Sequence, residues 1–525
     1  MSLSPLERCL HDPGYTPARA DLASLVSAVG TLTDKDEQRL QRALVRAGWA
    51  AAELALAAWP SAREPHQGEL VALLGRFAAD SADERLRAPL EVALSRGAAR
   101  ARRMAALALG KLGDPRAEPA LLNALDAAPL DLLRAIAEAL GKVGAEAAVR
   151  ALSSHAERDG EFVRRKEQAL LLIARRLGRS EGAAIELERP LGVPWRVRAL
   201  CRRGLAHLLE GELSVFGARV DADDSVELAS YDGTLRGLLL ARCALSFGLV
   251  TQAVAGTGSS VSRIAQTLNA QTTLAALRAW SAGRARFRVV WQGAGHQRAA
   301  SWALSRELSA LDSELTSDPR DANWLIEVGP GDAPLLRLVP QFVDPRFAYR
   351  RRDVPAASHP TVAAALARVA GVRPDDVVWD PFVGSGLELV ERALLGPYAR
   401  LIGSDLDVRA LEAARDNLTS AGVRNFELVQ GDARTLALAG VTLIISNPPM
   451  GRRVARDGSL PALLEAFVAH TARVLVPGGR AVLLSPLAER TSSWARKHGL
   501  DCRRGAAIDL GGFNAELQCI ERRAP

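Results

Sequence analysis

The sequence predicts a multidomain chain: an α-helical array first, a mixed α+β segment second, and a doubly wound α/β domain with a parallel sheet last. Three observations predict it. Apolar residues recur at helical spacing through residues 35–180. Strand-like and helical stretches mix without regular order through residues 190–350. From about residue 355 to 525, apolar β-rich runs alternate with helical stretches, the pattern of βαβ units. A length of 525 residues suits about three domains of ~100–200 residues each. The expected divisions are 1–185, 186–350 and 351–525.

Composition sets the limits. Apolar residues make up 48% and charged residues 24%, which excludes a largely disordered or fibrous chain. No apolar run reaches the ~18–20 residues of a membrane span, so no membrane partner is expected. The stretch 1–10 has no apolar signal-like run. The five cysteines are scattered, with no Cys-x-x-Cys pair. That spacing excludes a disulfide scaffold and a cysteine-rich zinc module, and fits a reducing, cytoplasmic compartment. No metal site is expected. Lys and Arg number 67 against 60 Asp and Glu, for a net charge of +7 that permits a nucleic-acid partner without demanding one.

The helical region carries a weak repeat. Leu109-Gly110-Lys111-Leu112-Gly113 recurs 31 residues later as Leu140-Gly141-Lys142-Val143-Gly144. Looser echoes are Leu74-Gly75-Arg76-Phe77 and Arg175-Arg176-Leu177-Gly178. Short Ala/Leu runs follow the two clear copies, at 120–125 and 147–152. Asp114-Pro115 reads as an N-cap followed by proline at the first helical position. Helix, tight turn, helix at ~31–35 residues is what an α-solenoid needs, because one helix pair cannot bury its apolar face alone. The stretch resembles HEAT repeats.

In the middle segment, 199–209, 272–282 and 298–312 read as helices, and 215–226 and 285–291 as strands. No catalytic motif falls here. Arginines do: Arg284, Arg286, Arg288 and Arg298, then Arg346 and Arg350 to Arg352. Arg286 and Arg288 flank Phe287, so a strand would point both to one side. Arg286, Arg288, Arg298, Arg350 and Arg351 are the candidate phosphate contacts, against the plain alternative of a solvated charged face.

In the last segment, strands are expected at 377–379, 401–404, 426–429, 441–446 and 481–485, with helices at 387–395, 408–421 and 462–475. A terminal hairpin is expected from 503–510 and 515–521, joined by Gly511-Gly512-Phe513-Asn514. His359, before Pro360, is a candidate cofactor neighbour.

Four markers fall at the carboxyl ends of four successive strands, where open α/β sheets bind ligands. Asp380-Pro381-Phe382-Val383-Gly384-Ser385-Gly386 is a strand-to-helix loop. Its glycines admit close backbone approach, and the following helix N-terminus offers free N–H groups. Asp405, rather than Asp407, is placed to accept from ribose hydroxyls. In Gly431-Asp432-Ala433, Asp432 can accept from an adenine amino group. In Ser446-Asn447-Pro448-Pro449-Met450-Gly451, two prolines fix the backbone and remove two N–H donors. Carbonyl oxygens are then free to point into the site beside the Asn447 side-chain oxygen. Such acceptors suit an exocyclic –NH2 group. They orient its N–H bonds, aim its lone pair at an electrophilic carbon, and stabilise the charge that develops on nitrogen.

Together these residues resemble class I S-adenosylmethionine-dependent amino-methyltransferases, of Rossmann-like fold. The resemblance implies that Asp380, Pro381, Phe382, Gly384, Gly386, Asp405, Asp432 and Ala433 bind the cofactor S-adenosyl-L-methionine, and that Asn447, Pro448, Pro449 and Met450 form the catalytic motif. Pro477-Gly478-Gly479 resembles the turn before the family's fifth strand. Met450 departs from the pattern, because an aromatic residue usually follows the prolines and stacks on the target base.

Asn-Pro-Pro-x motifs serve several amines, and the preceding segment discriminates among them. Arg286-Phe287-Arg288-Val289, Gly295-His296-Gln297-Arg298, Asn323-Trp324-Leu325-Ile326 and Asp344-Pro345-Arg346-Phe347-Ala348-Tyr349-Arg350 resemble the end of a THUMP-type RNA-binding module. Arg203-Gly204-Leu205 followed by residues 210–213 resembles the ferredoxin-like piece before it. The resemblance is to THUMP-bearing guanine-N2 RNA methyltransferases, with HEAT-like repeats added. It implies methylation of guanine N2 in tRNA or rRNA, with a protein partner possible at the repeats. Two alternatives stay open: an N-methyltransferase acting on DNA adenine N6 or a protein glutamine amide, and a HEAT-type interaction protein with an inactive methyltransferase domain.

Overall fold

The structure, a computed structural model, describes residues 3–524 apart from 157–158, 180–181, 255–257, 294–296, 312, 356 and 452–458. Gly295 and His296 of the THUMP-like pattern therefore lie outside the described residues. The chain divides into two compact units: Met1–Gly182 with Ala299–Asp318, and Ala183–Arg298 with Pro319–Pro525.

The first unit is a stack of helices over one apolar core that runs from Cys9 to Ile173. His66–Ser81, Ala99–Leu112, Leu130–Val143 and Gly160–Arg179 pack in succession. The repeat has a steric cause. A Cβ on Gly75 would meet the Ala108 Cβ at 3.1 Å, one on Gly110 the Ala139 Cα at 2.8 Å, and one on Gly141 the Ala169 Cα at 2.9 Å. Each repeated glycine therefore marks a close helix–helix crossing against an alanine of the next helix. Asp114 does cap, accepting from the Arg116 N–H, but the turn it starts is a single 3-10 turn, Pro115–Ala117, before the helix Glu118–Asn123.

The second unit opens with an α+β part. Its sheet runs in the order Arg219–Val220, Val226–Tyr231, Trp195–Leu200, Ser246–Gln252, Leu335–Pro340, Trp324–Val328 and Arg286–Trp291. All these pairs are antiparallel except the last, which is parallel. Three expectations need correction. The helix expected over 272–282 ends at Ala279, and Ser281 and Ala282 belong to a short strand, Ser281–Gly283. Ala199 and Leu200 end a strand, and the helix begins only at Ala206. Within 215–226 the chain makes a 3-10 turn, Ser214–Phe216, a two-residue strand and a turn, so it is not one strand. Gly217, with φ +72°, breaks the run.

The C-terminal part is a parallel sheet closed by a hairpin. Its strands are β1 (Val377–Asp380), β2 (Arg400–Asp405), β3 (Phe426–Gln430), β4 (Val441–Ser446), β5 (Leu475–Ser485), β6 (Leu500–Asp509) and β7 (Asn514–Arg522). They lie in the order β3-β2-β1-β4-β5-β7-β6, with β7 antiparallel to both neighbours. Helices α1 (Pro360–Ala370), α2 (Leu387–Leu395), α3 (Val408–Ser420), α4 (Leu460–Val474) and α5 (Ala488–Lys497) cover it. Pro477-Gly478-Gly479 does not precede β5. It is an irregularity inside it, where pairing with β4 shifts register between Val441 and Leu443.

The amino end of β1 is fastened by a buried ion cluster. Asp376 accepts from Arg392 Nη2 at 2.8 Å, from Arg480 Nη1 and Nη2 at 2.9 Å each, and from the Thr442 hydroxyl at 3.0 Å. Burial alone would raise the Asp376 pKa. The two guanidinium groups override it and hold the carboxyl down to about 2.

Candidate active site

β1 carries Asp380 to the carboxyl edge of the sheet, where the side chain is fully buried. Its Oδ1 accepts from the Ser446 hydroxyl at the end of β4 (2.7 Å) and from the Phe382 N–H (3.2 Å). Burial first, then the neighbouring Glu388 carboxyl, push its pKa well above the usual range. Asp380 thus ties β1 to β4 beneath the loop and does not line the cavity above.

The loop after it is held from β2. The Gly384 N–H donates to Asp405 Oδ2 at 3.1 Å, and Asp405 Oδ1 accepts from the Asp407 N–H at 3.0 Å. Gly384 has φ +49°, and the position of a Cβ is open, with a Val354 methyl at 3.8 Å and the Phe382 carbonyl oxygen at 3.9 Å nearest to it. Gly386 serves a different purpose from the one expected. Its Cβ would meet Ala414 atoms at 3.0 and 3.1 Å, so its smallness lets α2 pack on α3, and it does not line the cavity.

A cavity of about 780 Å³ opens at this edge, within the ~300–1,000 Å³ range of small-molecule sites. Pro381, Phe382 and Gly384 form one wall. Asp405, Asp432 and Ala433, from the ends of β2 and β3, form the next. Asn447, Pro448, Pro449 and Met450, after β4, complete it. Phe382 is braced edge-on by Phe467, with ring centroids 5.3 Å apart. Asp432 is held down from the usual carboxylate range by Arg434, which donates to both its oxygens.

The Asn447 carboxamide is oriented from one side. Its Nδ2 donates to the Ser358 hydroxyl oxygen at 2.8 Å, and that hydroxyl donates to Glu388 Oε1. The other end of the amide, Oδ1, is buried and has no hydrogen-bond partner among the described residues. Burial pushes the Glu388 carboxyl up to about 7, against the lowering effect of the Ser358 hydroxyl.

Sequence reasoning missed Ser358, Glu388, Arg202 and Phe513, all of which line the cavity. Glu388 gave a signal: a carboxylate inside the apolar run Leu387 to Val390. Arg202 comes from the α+β part, where it donates to the Asp509 carbonyl at 3.1 Å. Beside it the Asp509 N–H donates to the Arg203 carbonyl at 3.2 Å, and Gly204, with φ +88°, sits so close that a Cβ would lie 2.3 Å from the Ala507 oxygen. The resemblance around Arg203-Gly204-Leu205 thus falls where the α+β part grips the terminal hairpin. His359 lines the cavity and caps α1. Burial, then Arg202, Arg350 and Arg346, push its pKa down to about 4.

The arginines separate. Arg288, Arg298 and Arg351 are exposed, and Arg350 is half-buried beside Asp353. Arg351 also donates through Nε to Ser420. Arg286 is not on that surface: it is 1% exposed, paired with Asp321 at 2.8 Å and bonded to the Asp321 carbonyl. It is buried at the start of its strand against Asp321 and Asn323, whereas Arg288, two residues on, is exposed.

Residues 348–514 match the family profile described as RMKL-like, methyltransferase domain, and residues 86–171 match HEAT repeats. A tRNA (guanine(6)-N2)-methyltransferase of Thermus thermophilus is 34% identical over 166 residues, covering 31% of this chain and 49% of its own length. The U6 snRNA (guanine-N(2))-methyltransferase THUMPD2 of Bos taurus is 33% identical over 214 residues, 40% of each chain. The chain thus spans about half the length, or less, of these curated relatives. The crystal structure of TrmN from Thermus thermophilus superposes with a TM-score of 0.51 at 24% identity, over 62% of this chain and 99% of that one, which shows a shared fold.

Proposed function

We propose that this chain is an S-adenosylmethionine-dependent N-methyltransferase acting on an exocyclic amine of RNA, guanine N2 of tRNA or rRNA. The observation that carries the reading is the buried, unpartnered Asn447 Oδ1 at the wall of a cavity shared with Asp405 and Asp432. An amide oxygen left bare at such a wall costs about 1–3 kcal/mol unless a donor comes to it. The amine of a base is such a donor. The curated relatives that act on guanine N2 point the same way.

The residues fit the cofactor. Asp405 and Asp432 offer carboxylate oxygens at the ends of adjacent strands, and Arg434 leaves Asp432 with lone pairs to spare. Phe382 and Gly384 border the space for the methionine end. When bound, S-adenosylmethionine supplies an electrophilic methyl carbon. Asn447 Oδ1 and the Pro448 carbonyl accept the two amine N–H bonds, which turns the nitrogen lone pair away from them. The same oxygens stabilise the positive charge that grows on nitrogen. Asn447 is neutral and does not take the proton. Met450 lays a thioether against the base in place of a ring. Arg202, Arg288, Arg298, Arg350 and Arg351 provide cations for the RNA backbone. The HEAT-like array offers a surface for a further partner.

Labelled S-adenosylmethionine, offered with separated RNA, DNA and protein pools, tests the reading. Label in RNA supports it. Label confined to DNA or protein favours the alternative substrates, and no label in any pool favours an inactive scaffold.

A further inference from the structure

We infer that Ser358 and Glu388 are positioning residues that decide which end of the Asn447 carboxamide faces the substrate amine. The inference rests on the methyl-transfer reading of the site. An amide side chain has two ends of nearly equal size. Presented by its oxygen it receives an amine N–H; presented by its –NH2 it offers a donor to a donor and repels the substrate.

A chain of hydrogen bonds with one direction makes the choice. An ionised Glu388 only accepts, so it claims the Ser358 hydroxyl hydrogen. Ser358 is then left with lone pairs alone toward Asn447, so it takes the Asn447 N–H, at 2.8 Å. The Asn447 oxygen is consequently the end without a protein partner. Hydrogen bonds in such a chain reinforce each other in a low-dielectric setting. Glu388 and Ser358 are both buried, at 3% and 9% exposed, where the chain meets the cavity.

The direction depends on one proton. A protonated Glu388 can donate to Ser358, which frees the Ser358 hydrogen to point at Asn447 Oδ1 and lets the amide turn over. Burial places this change near neutrality, at about pH 7. The ionisable groups around Glu388 are Asp380 at the end of β1 and Glu391 one turn along α2. Glu391 is met by Arg242 at 2.5 Å and by the Tyr349 hydroxyl, on the strap before α1. His359, next to Ser358, stays neutral above about pH 4.

Two readouts test this on the full chain. In 15N-asparagine-labelled protein, the Asn447 side-chain resonance, identified by its loss in Asn447→Ala, is expected to shift between pH 5.5 and 8.5 with a midpoint near 7. It is expected to stay flat in Glu388→Gln and Ser358→Ala. In RNA methyl transfer, wild-type kcat is expected to fall about tenfold per pH unit below the midpoint. KM for RNA and cofactor affinity should hold. Ser358→Ala is expected to lower kcat by about 10- to 100-fold at pH 8, with rescue by Ser358→Thr. A wild-type Asn447 resonance that ignores pH overturns the inference. So does a folded Ser358→Ala with kcat within twofold of wild type. If wild type methylates no RNA, the proposed function falls, while the resonance alone still decides the hydrogen-bond chain.

Discussion

Removing the carboxylate of Asp376 should cost stability without touching the chemistry. The side chain is fully buried, and Arg392, which it pairs with, is fully buried too. Asp376→Ala would strand the Arg392 guanidinium and partly strand that of Arg480, which is 10% exposed. Breaking a buried pair by deleting one partner costs about 3–5 kcal/mol. For a domain of this size that is a fall of about 6–20 °C in the melting transition of the second unit. Calorimetry, with hydrogen exchange at β1 and β5 to identify the transition, provides the measurement. The sign with pH follows from the depressed pKa. The contribution is present in full above the unfolded-state value near 4 and is lost as pH falls through about 2. Wild type and variant should therefore converge in strong acid. Asp376 sits at the end of β1 away from the cavity, so cofactor affinity below the transition should be unchanged. A shift under 2 °C at pH 7, or one that is undiminished at pH 2, would refute the assignment of the cluster as the fastening of β1.

Three further outcomes are expected. Gly204→Ala, which sets a Cβ 2.3 Å from the Ala507 oxygen at φ +88°, should lower kcat/KM for RNA at least tenfold by displacing the hairpin beside the cavity; an unaltered value would show that the hairpin does not shape the site. Met450→Phe should lower KM for RNA about fivefold, since a ring stacks on a base for about 1–3 kcal/mol and a thioether for less; an unchanged KM would show that this side chain does not meet the base. Charge reversal at exposed Arg288 and Arg351 should each reduce the salt slope of RNA binding by about 1, which salt-dependent binding isotherms would read; an intact slope would remove that face from the RNA interface.

Much of the parallel sheet was legible because β1, β2 and β4 are short, largely apolar and each closed by a turn signal. The expected strand 441–446 and helix 387–395 coincide with the structure. The Asn447 motif was legible because Pro-Pro dictates backbone shape and strips donors whatever surrounds it. The helical repeat was legible because close crossings against Ala108, Ala139 and Ala169 allow no side chain at the glycine. What sequence patterns could not convey is environment. Period-two alternation placed Arg286 and Arg288 together, but only the fold supplies Asp321 and the cover over Arg286. Glu388 was marked only as an acid inside an apolar run, and its role needs Ser358, 30 residues away, to arrive beside it. Gly386 looked like part of the ligand cradle because glycines that admit a ligand and glycines that admit a helix leave the same mark. In the α+β part, short strands separated by turns such as Gly217 defeated a pattern that needs several residues to declare itself.

The central claim is that Asn447 presents an oxygen to a guanine amine. The most direct test is nucleoside mass spectrometry of RNA incubated with S-adenosylmethionine and either wild-type protein or Asn447→Ala. The account predicts N2-methylguanosine with wild type, none above background with the variant, and cofactor affinity preserved in both. Equal N2-methylguanosine from the two proteins, or a methylated nucleoside altered at a ring atom, would contradict it.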